Sequence, residues 1–179
     1  MGASVLSMLL LLNGEKCGTS LNKGGRIVGG RNATEGEFPW MVAIQDAFGS
    51  HFCGGSIIEP DIVVTAAHCL RGIVPANIQV QAGLLDLNNP PNYSQVRNVQ
   101  KFAAHESFDM WSNEGKPNDI ALLKLAEPFD FGESEGHIGA VCLPAKDRPL
   151  EGDVVVTGWG LTSQGNRGLS CYPCLIGAD

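Results

Sequence analysis

The chain has 179 residues, 23 of them glycine, and a formal net charge of −7, with 12 Lys and Arg against 19 Asp and Glu. That length suits one domain, or part of a larger one, with a sizeable core. The cations are scattered rather than clustered, which argues against nucleic acid as a partner, and the glycine content favours a turn-rich fold over a helical one.

Residues Ala3 to Leu12 form an apolar stretch, with no Lys or Arg before it and no small-x-small cleavage pattern after it. The stretch is too short to span a bilayer as a helix, so no membrane association is expected. It reads as the core of a signal peptide over residues 1–14, the alternative being a disordered apolar tail. After Arg26 the pattern becomes short strand-like runs separated by turns. The runs are Phe38 to Gln45, His51 to Ile58, Ile62 to Ala66, Ile78 to Ala82, Val96 to Ala103, Ile120 to Leu125 and Asp153 to Trp159. Glu59-Pro60-Asp61 marks a turn, and Ala66 to Leu70 has room for one helical turn. The Asn- and Pro-rich segment Leu87 to Ser94 and the segment Trp111 to Asn118 read as surface loops, and the chain turns irregular after Gly160. No segment sustains a helical period, so the fold class is all-β, a barrel or a sandwich.

The six cysteines are Cys17, Cys53, Cys69, Cys142, Cys171 and Cys174. Only the last two make a CxxC, and no second CxxC or His pair accompanies it, so no metal site is expected. Disulfides formed in an oxidising, extracellular compartment are the better reading. Two N-x-[ST] triplets, at Asn32 and Asn92, lie among polar turn formers, where a glycan would be tolerated.

Five motifs follow in order: Arg26-Ile27-Val28-Gly29-Gly30, Cys53-Gly54-Gly55-Ser56, Thr65-Ala66-Ala67-His68-Cys69, Asp119-Ile120-Ala121-Leu122 and Gly158-Trp159-Gly160. Together they resemble the chymotrypsin/trypsin-like serine protease family, over about Cys17 to Ser170. The resemblance implies a double antiparallel β-barrel, with the first six-stranded barrel complete here and the second only begun. It implies a peptidase domain over residues 27–170, preceded by a short propeptide over 15–26. His68 matches the general base, a role suited to an imidazole that titrates near neutrality. Asp119 matches the carboxylate that fixes the base's tautomer, and at the head of an apolar run a partly buried carboxylate requires a partner. A packed core histidine and a turn-capping aspartate are the alternatives when each residue is taken alone. His51 reads as structural, and His105 and His137 as loop residues; none receives a catalytic role.

The same resemblance makes Arg26–Ile27 an activation bond, cut by a trypsin-like protease. It pairs Cys53 with Cys69, a loop closure worth about 3 kcal/mol in the chain-entropy model, and Cys17 with Cys142. Leu84 stands where calcium-binding relatives have an acidic ligand, so no calcium site and no cofactor are expected. Val154 stands where many relatives have a cysteine. The substrate would be a protein or peptide. The family's Gly-Asp-Ser-Gly-Gly segment does not occur in these residues, which removes the nucleophile and the oxyanion-hole amides together and implies an inactive chain. Residues 171–179 depart from the family pattern and read as the product of a frameshift, a retained intron or an alternative exon, or as a genuine short variant. The competing function is a secreted, non-catalytic homologue that binds a partner. Retention of both His68 and Asp119 favours descent from an active enzyme.

Overall fold

The computed structural model describes residues 17–22, 31–112, 117–147, 149, 154–160 and, as backbone alone, 174–178. The signal-peptide stretch, Arg26, Ile27 and Cys171 lie outside the described residues. Among the described residues nine strands occur: β1 (Arg31–Asn32), β2 (Met41–Asp46), β3 (His51–Glu59), β4 (Ile62–Thr65), β5 (Ile78–Ala82), β6 (Gln95–Ala104), β7 (Ala121–Leu125), β8 (Val154–Gly158) and β9 (Cys174–Ala178). Strands β2-β3-β4-β7-β6-β5 close into an antiparallel barrel, and β1-β9-β8 form a separate three-stranded sheet. Six of the seven expected runs become the barrel, and the seventh becomes β8. The strand over Cys174–Ala178 corrects the expectation of irregular chain after Gly160: it pairs with β8 along its whole length, from Val154 opposite Ala178 to Gly158 opposite Cys174.

The barrel fills itself by alternation. On β5, Ile78, Val80 and Ala82 point inward while Gln79 and Gln81 are partly exposed. On β7, Ala121, Leu123 and Leu125 do the same. They meet Val42, Ile44, Ile57 and Val63 in one apolar core. β2 is buried on both faces, because its outer row of Met41, Ala43 and Gln45 is also covered. The Thr157 hydroxyl on β8 donates to the Met41 sulfur at 2.8 Å on that outer row.

Gly55 shows why β3 carries a glycine pair. A Cβ there would lie 2.8 Å from the Val63 side chain and 2.9 Å from the Val64 carbonyl oxygen, so only glycine lets β3 approach β4 this closely. Cys17 reaches the barrel by a comparable economy of backbone. Val141 donates to the Ile57 carbonyl at 2.8 Å and Gly18 to the Ala140 carbonyl at 2.7 Å, which brings Cys17 and Cys142 together in a disulfide.

The turn before β2 is fastened by charge. The buried Glu37 carboxylate accepts from the Arg31 guanidinium, from the Thr34 amide at 2.9 Å and from the Thr34 hydroxyl at 3.2 Å. Burial pushes the Glu37 carboxyl up, but the Arg31 and Thr34 hydrogen bonds outweigh it and hold the group below its ordinary value.

Candidate active site

The register of β4 on β7 assembles the site. Thr65, the last residue of β4, lies opposite Ala121, the first of β7. The residues just past one strand and just before the other therefore share one end of the barrel. The chain leaves β4 through Ala66 into a 3₁₀ turn over Ala67–Leu70 that carries His68. Two links anchor this turn: the Thr65 hydroxyl donates to the Gly54 carbonyl at 2.8 Å, and Cys69 is in a disulfide with Cys53. The cysteine and threonine positions of the two sequence motifs are thus one cross-brace between β3 and the turn. On the other side, Asn118 adopts a left-handed backbone conformation, φ 59°, which asparagine tolerates better than most residues. Its side-chain amide donates to the Ser107 carbonyl at 3.1 Å. The expected run from Ile120 begins as a strand only at Ala121, and Ile120 itself is exposed.

His68 and Asp119 meet there. His68 Nδ1 lies 2.7 Å from Asp119 Oδ2, and the His68 backbone amide donates to Asp119 Oδ1 at 2.8 Å. Each carboxylate oxygen of Asp119 thus contacts His68, one at the ring and one at the main chain. A carboxylate acceptor fixes the neutral ring with its proton on Nδ1 and a lone pair on Nε2. The His68 side chain is 44% exposed and that of Asp119 22%, so the carboxylate is the more sheltered member and the ring faces solvent. Nε2 lies 3.6 Å from Cys69 Sγ, a disulfide sulfur with no proton to give. The pair can accept a proton at Nε2, stabilise the resulting imidazolium, and return the proton to a leaving group.

Arg71 ties the His68 turn to the loop that delivers Asp119. Its guanidinium lies 4.8 Å over the Trp111 ring and donates to the Met110 sulfur at 3.0 Å. Trp111 is 75% exposed and presents an aromatic face beside the turn. In the sequence Trp111 reads only as the start of a surface loop.

The other histidines stand apart from this pair. His51 stacks edge-on against Trp159, with ring centroids 5.9 Å apart, and its buried Nε2 has no hydrogen-bond partner among the described residues. Burial holds its pKa below the ordinary value, against an opposing hydrogen bond with the Cys53 backbone. His105 Nδ1 accepts from the Ser107 amide at 3.1 Å. His137 belongs to a cluster that no motif announced. Its ring stacks on Tyr93 at 4.0 Å, its Nδ1–H donates to the Ser134 carbonyl at 2.9 Å, and its Nε2 lies 3.8 Å from Glu35 Oε1. The Tyr93 hydroxyl donates to that same Glu35 oxygen, and burial together with the Glu35 carboxylate pushes the phenol up. The cluster borders an open cleft of about 510 Å³ that Phe38, Met41, Leu84 and Trp159 also line. The cleft includes neither His68 nor Asp119. Asn32 and Asn92, the two sequon asparagines, are both exposed.

The Trypsin family model matches residues 27–172. The chain is 39% identical to Trypsin-1 of Astacus astacus over 147 residues, covering 79% of this chain and 60% of that protein. It is 41% identical to Hypodermin-B of Hypoderma lineatum over 139 residues, covering 76% of this chain and 49% of that one. The chain thus spans about half to three fifths of the curated relatives it matches. Among solved structures, one of human heparin binding protein superposes with a TM-score of 0.68 at 29% identity, covering 84% of this chain and 64% of that one.

Proposed function

Because the chain belongs to the trypsin family, we propose that it supplies the base-bearing wall of the active site of a secreted serine endopeptidase, with His68 as general base and Asp119 as the carboxylate that orients it. The observation that carries the reading is the double grip of Asp119 on His68, ring Nδ1 at 2.7 Å and main-chain amide at 2.8 Å. In the triad chemistry of this family, Nε2 takes the proton of a serine hydroxyl as that oxygen attacks the peptide carbonyl, then gives it to the departing amine. Asp119 keeps the proton on Nδ1 and stabilises the charged ring without itself becoming protonated. A protein or peptide is the substrate class, Arg26–Ile27 is the activation bond, and Asn32 and Asn92 are the glycan acceptors.

The family's Gly-Asp-Ser-Gly-Gly segment does not occur among these 179 residues. The chain by itself is therefore expected to hydrolyse no peptide or ester bond, since loss of such a nucleophile costs about a millionfold in turnover. A chimera tests the assignment: residues 27–160 joined to the serine-bearing remainder of the Astacus trypsin. Ester hydrolysis by the folded chimera should fall about a millionfold in His68→Ala and about ten-thousand-fold in Asp119→Asn. Hydrolysis that survives His68→Ala would remove the assignment.

A non-catalytic binding homologue is the second reading, and the heparin binding protein is a solved neighbour that points towards it. A net charge of −7 opposes the same ligand here, because a polyanion is repelled by an acidic surface.

A further inference from the structure

The cleft between the barrel loops and the end of β8 takes no part in the proton transfer just described, since it includes neither His68 nor Asp119. Segments far apart in sequence wall it: the turn before β2, the turn after β5, the loops that carry Tyr93 and His137, and Thr157 to Trp159. Phe38, Leu84 and Trp159 give it apolar surface, and Glu35, Tyr93 and His137 gather into one polar cluster. We propose that this cleft binds a primary ammonium group carried on an apolar stem, with Glu35 receiving the ammonium and Phe38, Leu84 and Trp159 receiving the stem. The proposal stands on the lining of the cleft and does not depend on peptidase activity.

The balance of donors and acceptors sets the charge of the ligand. Every side-chain donor on the lining is already committed. The Tyr93 hydroxyl donates to Glu35 Oε1, and the Trp159 indole N–H to the Leu85 carbonyl at 3.1 Å. The Thr157 hydroxyl donates to the Met41 sulfur at 2.8 Å, the Thr34 hydroxyl to Glu37 at 3.2 Å, and the His137 Nδ1–H to the Ser134 carbonyl at 2.9 Å. Acceptors are left over. Glu35 Oε2 has no hydrogen-bond partner among the described residues, and the neutral His137 ring keeps a lone pair on Nε2, 3.8 Å from Glu35 Oε1. Burial and the Glu35 carboxylate push the Tyr93 phenol up, so the proton stays on the phenol and the negative charge on Glu35. No Lys or Arg lines the cleft to answer that charge. A ligand that completes the inventory brings donors and a positive charge; an anion would face the carboxylate directly.

The remaining surface fits a stem. An open volume of about 510 Å³ is in the range of small-ligand sites, and an apolar lining with a few convergent polar groups is their usual make-up. Trp159 is 9% exposed and held by its indole hydrogen bond and by the His51 ring, so that wall is in place before a ligand arrives. The aromatic rings of Phe38, Tyr93 and Trp159 also favour a cation near their faces. The net charge of −7 adds long-range attraction for a cation.

The test titrates the full chain, followed by amide and indole NMR shifts, with phenethylamine, its neutral counterpart phenethyl alcohol and the anion phenylacetate. The Trp159 indole N–H and the amides of Leu84 and Thr157 should shift and saturate with phenethylamine, while the His68 amide stays in place. Phenethylamine should bind about fivefold more tightly than the alcohol, the worth of one partly exposed ion pair, and phenylacetate more weakly than either. Glu35 is exposed, so Glu35→Gln leaves the fold intact. It should cancel the advantage of the amine and leave binding of the alcohol unchanged, which also reports that the cleft has survived. Glu35→Lys should reverse the order and favour phenylacetate. An acetylated phenylalanyl-lysine amide separates the two sources of such a group. Saturation of the same resonances by this peptide assigns the site to a protein side chain, and saturation by phenethylamine alone assigns it to a free amine. Equal affinity for amine and alcohol, an amine affinity indifferent to Glu35→Gln, or shifts confined to the His68 and Asp119 end of the barrel would overturn the proposal.

Discussion

The barrel and the β1-β9-β8 sheet are built from similar residues and behave as opposites. β7 alternates Ala121, Leu123 and Leu125 inward, at 2%, 0% and 1% exposure, because the strands on either side of it close the ring. β8 has three consecutive valines, Val154, Val155 and Val156, and all are 50–57% exposed. The difference lies in closure rather than in hydrophobicity. A closed barrel has an inside and no free edge, whereas β8 is the end strand of an open sheet. The site follows the barrel: the β4–β7 register places His68 and Asp119 at one end of it, and no residue of the small sheet takes part in that pair.

The largest expected effect that would sharpen this contrast is a matched pair of truncations. Leu123→Ala empties a fully buried position and should cost about 2–5 kcal/mol. Val155→Ala, half exposed, should stay within about 0.5 kcal/mol. Denaturant unfolding of the two variants measures both, and equal losses would mean that the sheet is as tightly packed as the barrel. Hydrogen exchange reads the same contrast without mutation: amides of Ile62–Thr65 should outlast those of Val154–Gly158.

A smaller effect is expected from Gly55→Ala. The added Cβ meets Val63 and the Val64 carbonyl within the barrel wall, so overpacking should cost about 1–3 kcal/mol. Gly160→Ala, with open space around the new Cβ, is the control. Because Gly55 sits two residues from Cys53 and adjoins the carbonyl that holds Thr65, its loss should also loosen the His68 turn. The His68 amide resonance would report this, and a barrel weakened with that resonance unmoved would separate the stability of the wall from the geometry of the site.

How much of this was legible in the sequence depended on whether the physics was local. β5 was read to the residue, because strict alternation over Ile78–Ala82 is a local signal of a strand with one buried face. The meeting of His68 with Asp119 was not readable from either residue. It came from the resemblance, and the structure supplies the reason in the register of β4 on β7. β1 has two residues, and β9 runs Cys-Leu-Ile-Gly-Ala without alternation, so neither carries a periodic signal and both exist only through pairing. The double-sided burial of β2 was hidden in the same way, since Thr157 covers Met41 from 116 residues away. Glu35, Tyr93 and His137 share no motif, and only the folding of three loops brings them together.

The smallest predicted effect concerns the joint between the two regions. Trp159, just past β8, stacks on His51 at the start of β3 and donates its indole N–H to the Leu85 carbonyl at 3.1 Å. Burial lowers the His51 pKa in the folded chain, so the neutral ring belongs to the docked state. Between the folded value and the unfolded value of about 6.5, the unfolded state binds more protons, and stability there rises with pH. The His51 contribution is therefore complete above about pH 6.5 and is lost as the pH falls below it. The Trp159 indole N–H resonance should broaden or exchange faster on mild acidification, while the amides of Leu123 and Val63 in the barrel stay protected. His51→Phe keeps a ring against Trp159 and removes the titration, so its indole signal should be indifferent to pH across that window. His137 faces the same cleft as Trp159, which makes His137→Gln the necessary companion. If the pH response persists in His51→Phe and disappears in His137→Gln, the joint is governed by the Tyr93–Glu35–His137 cluster instead, and the small sheet answers to the loops rather than to β3.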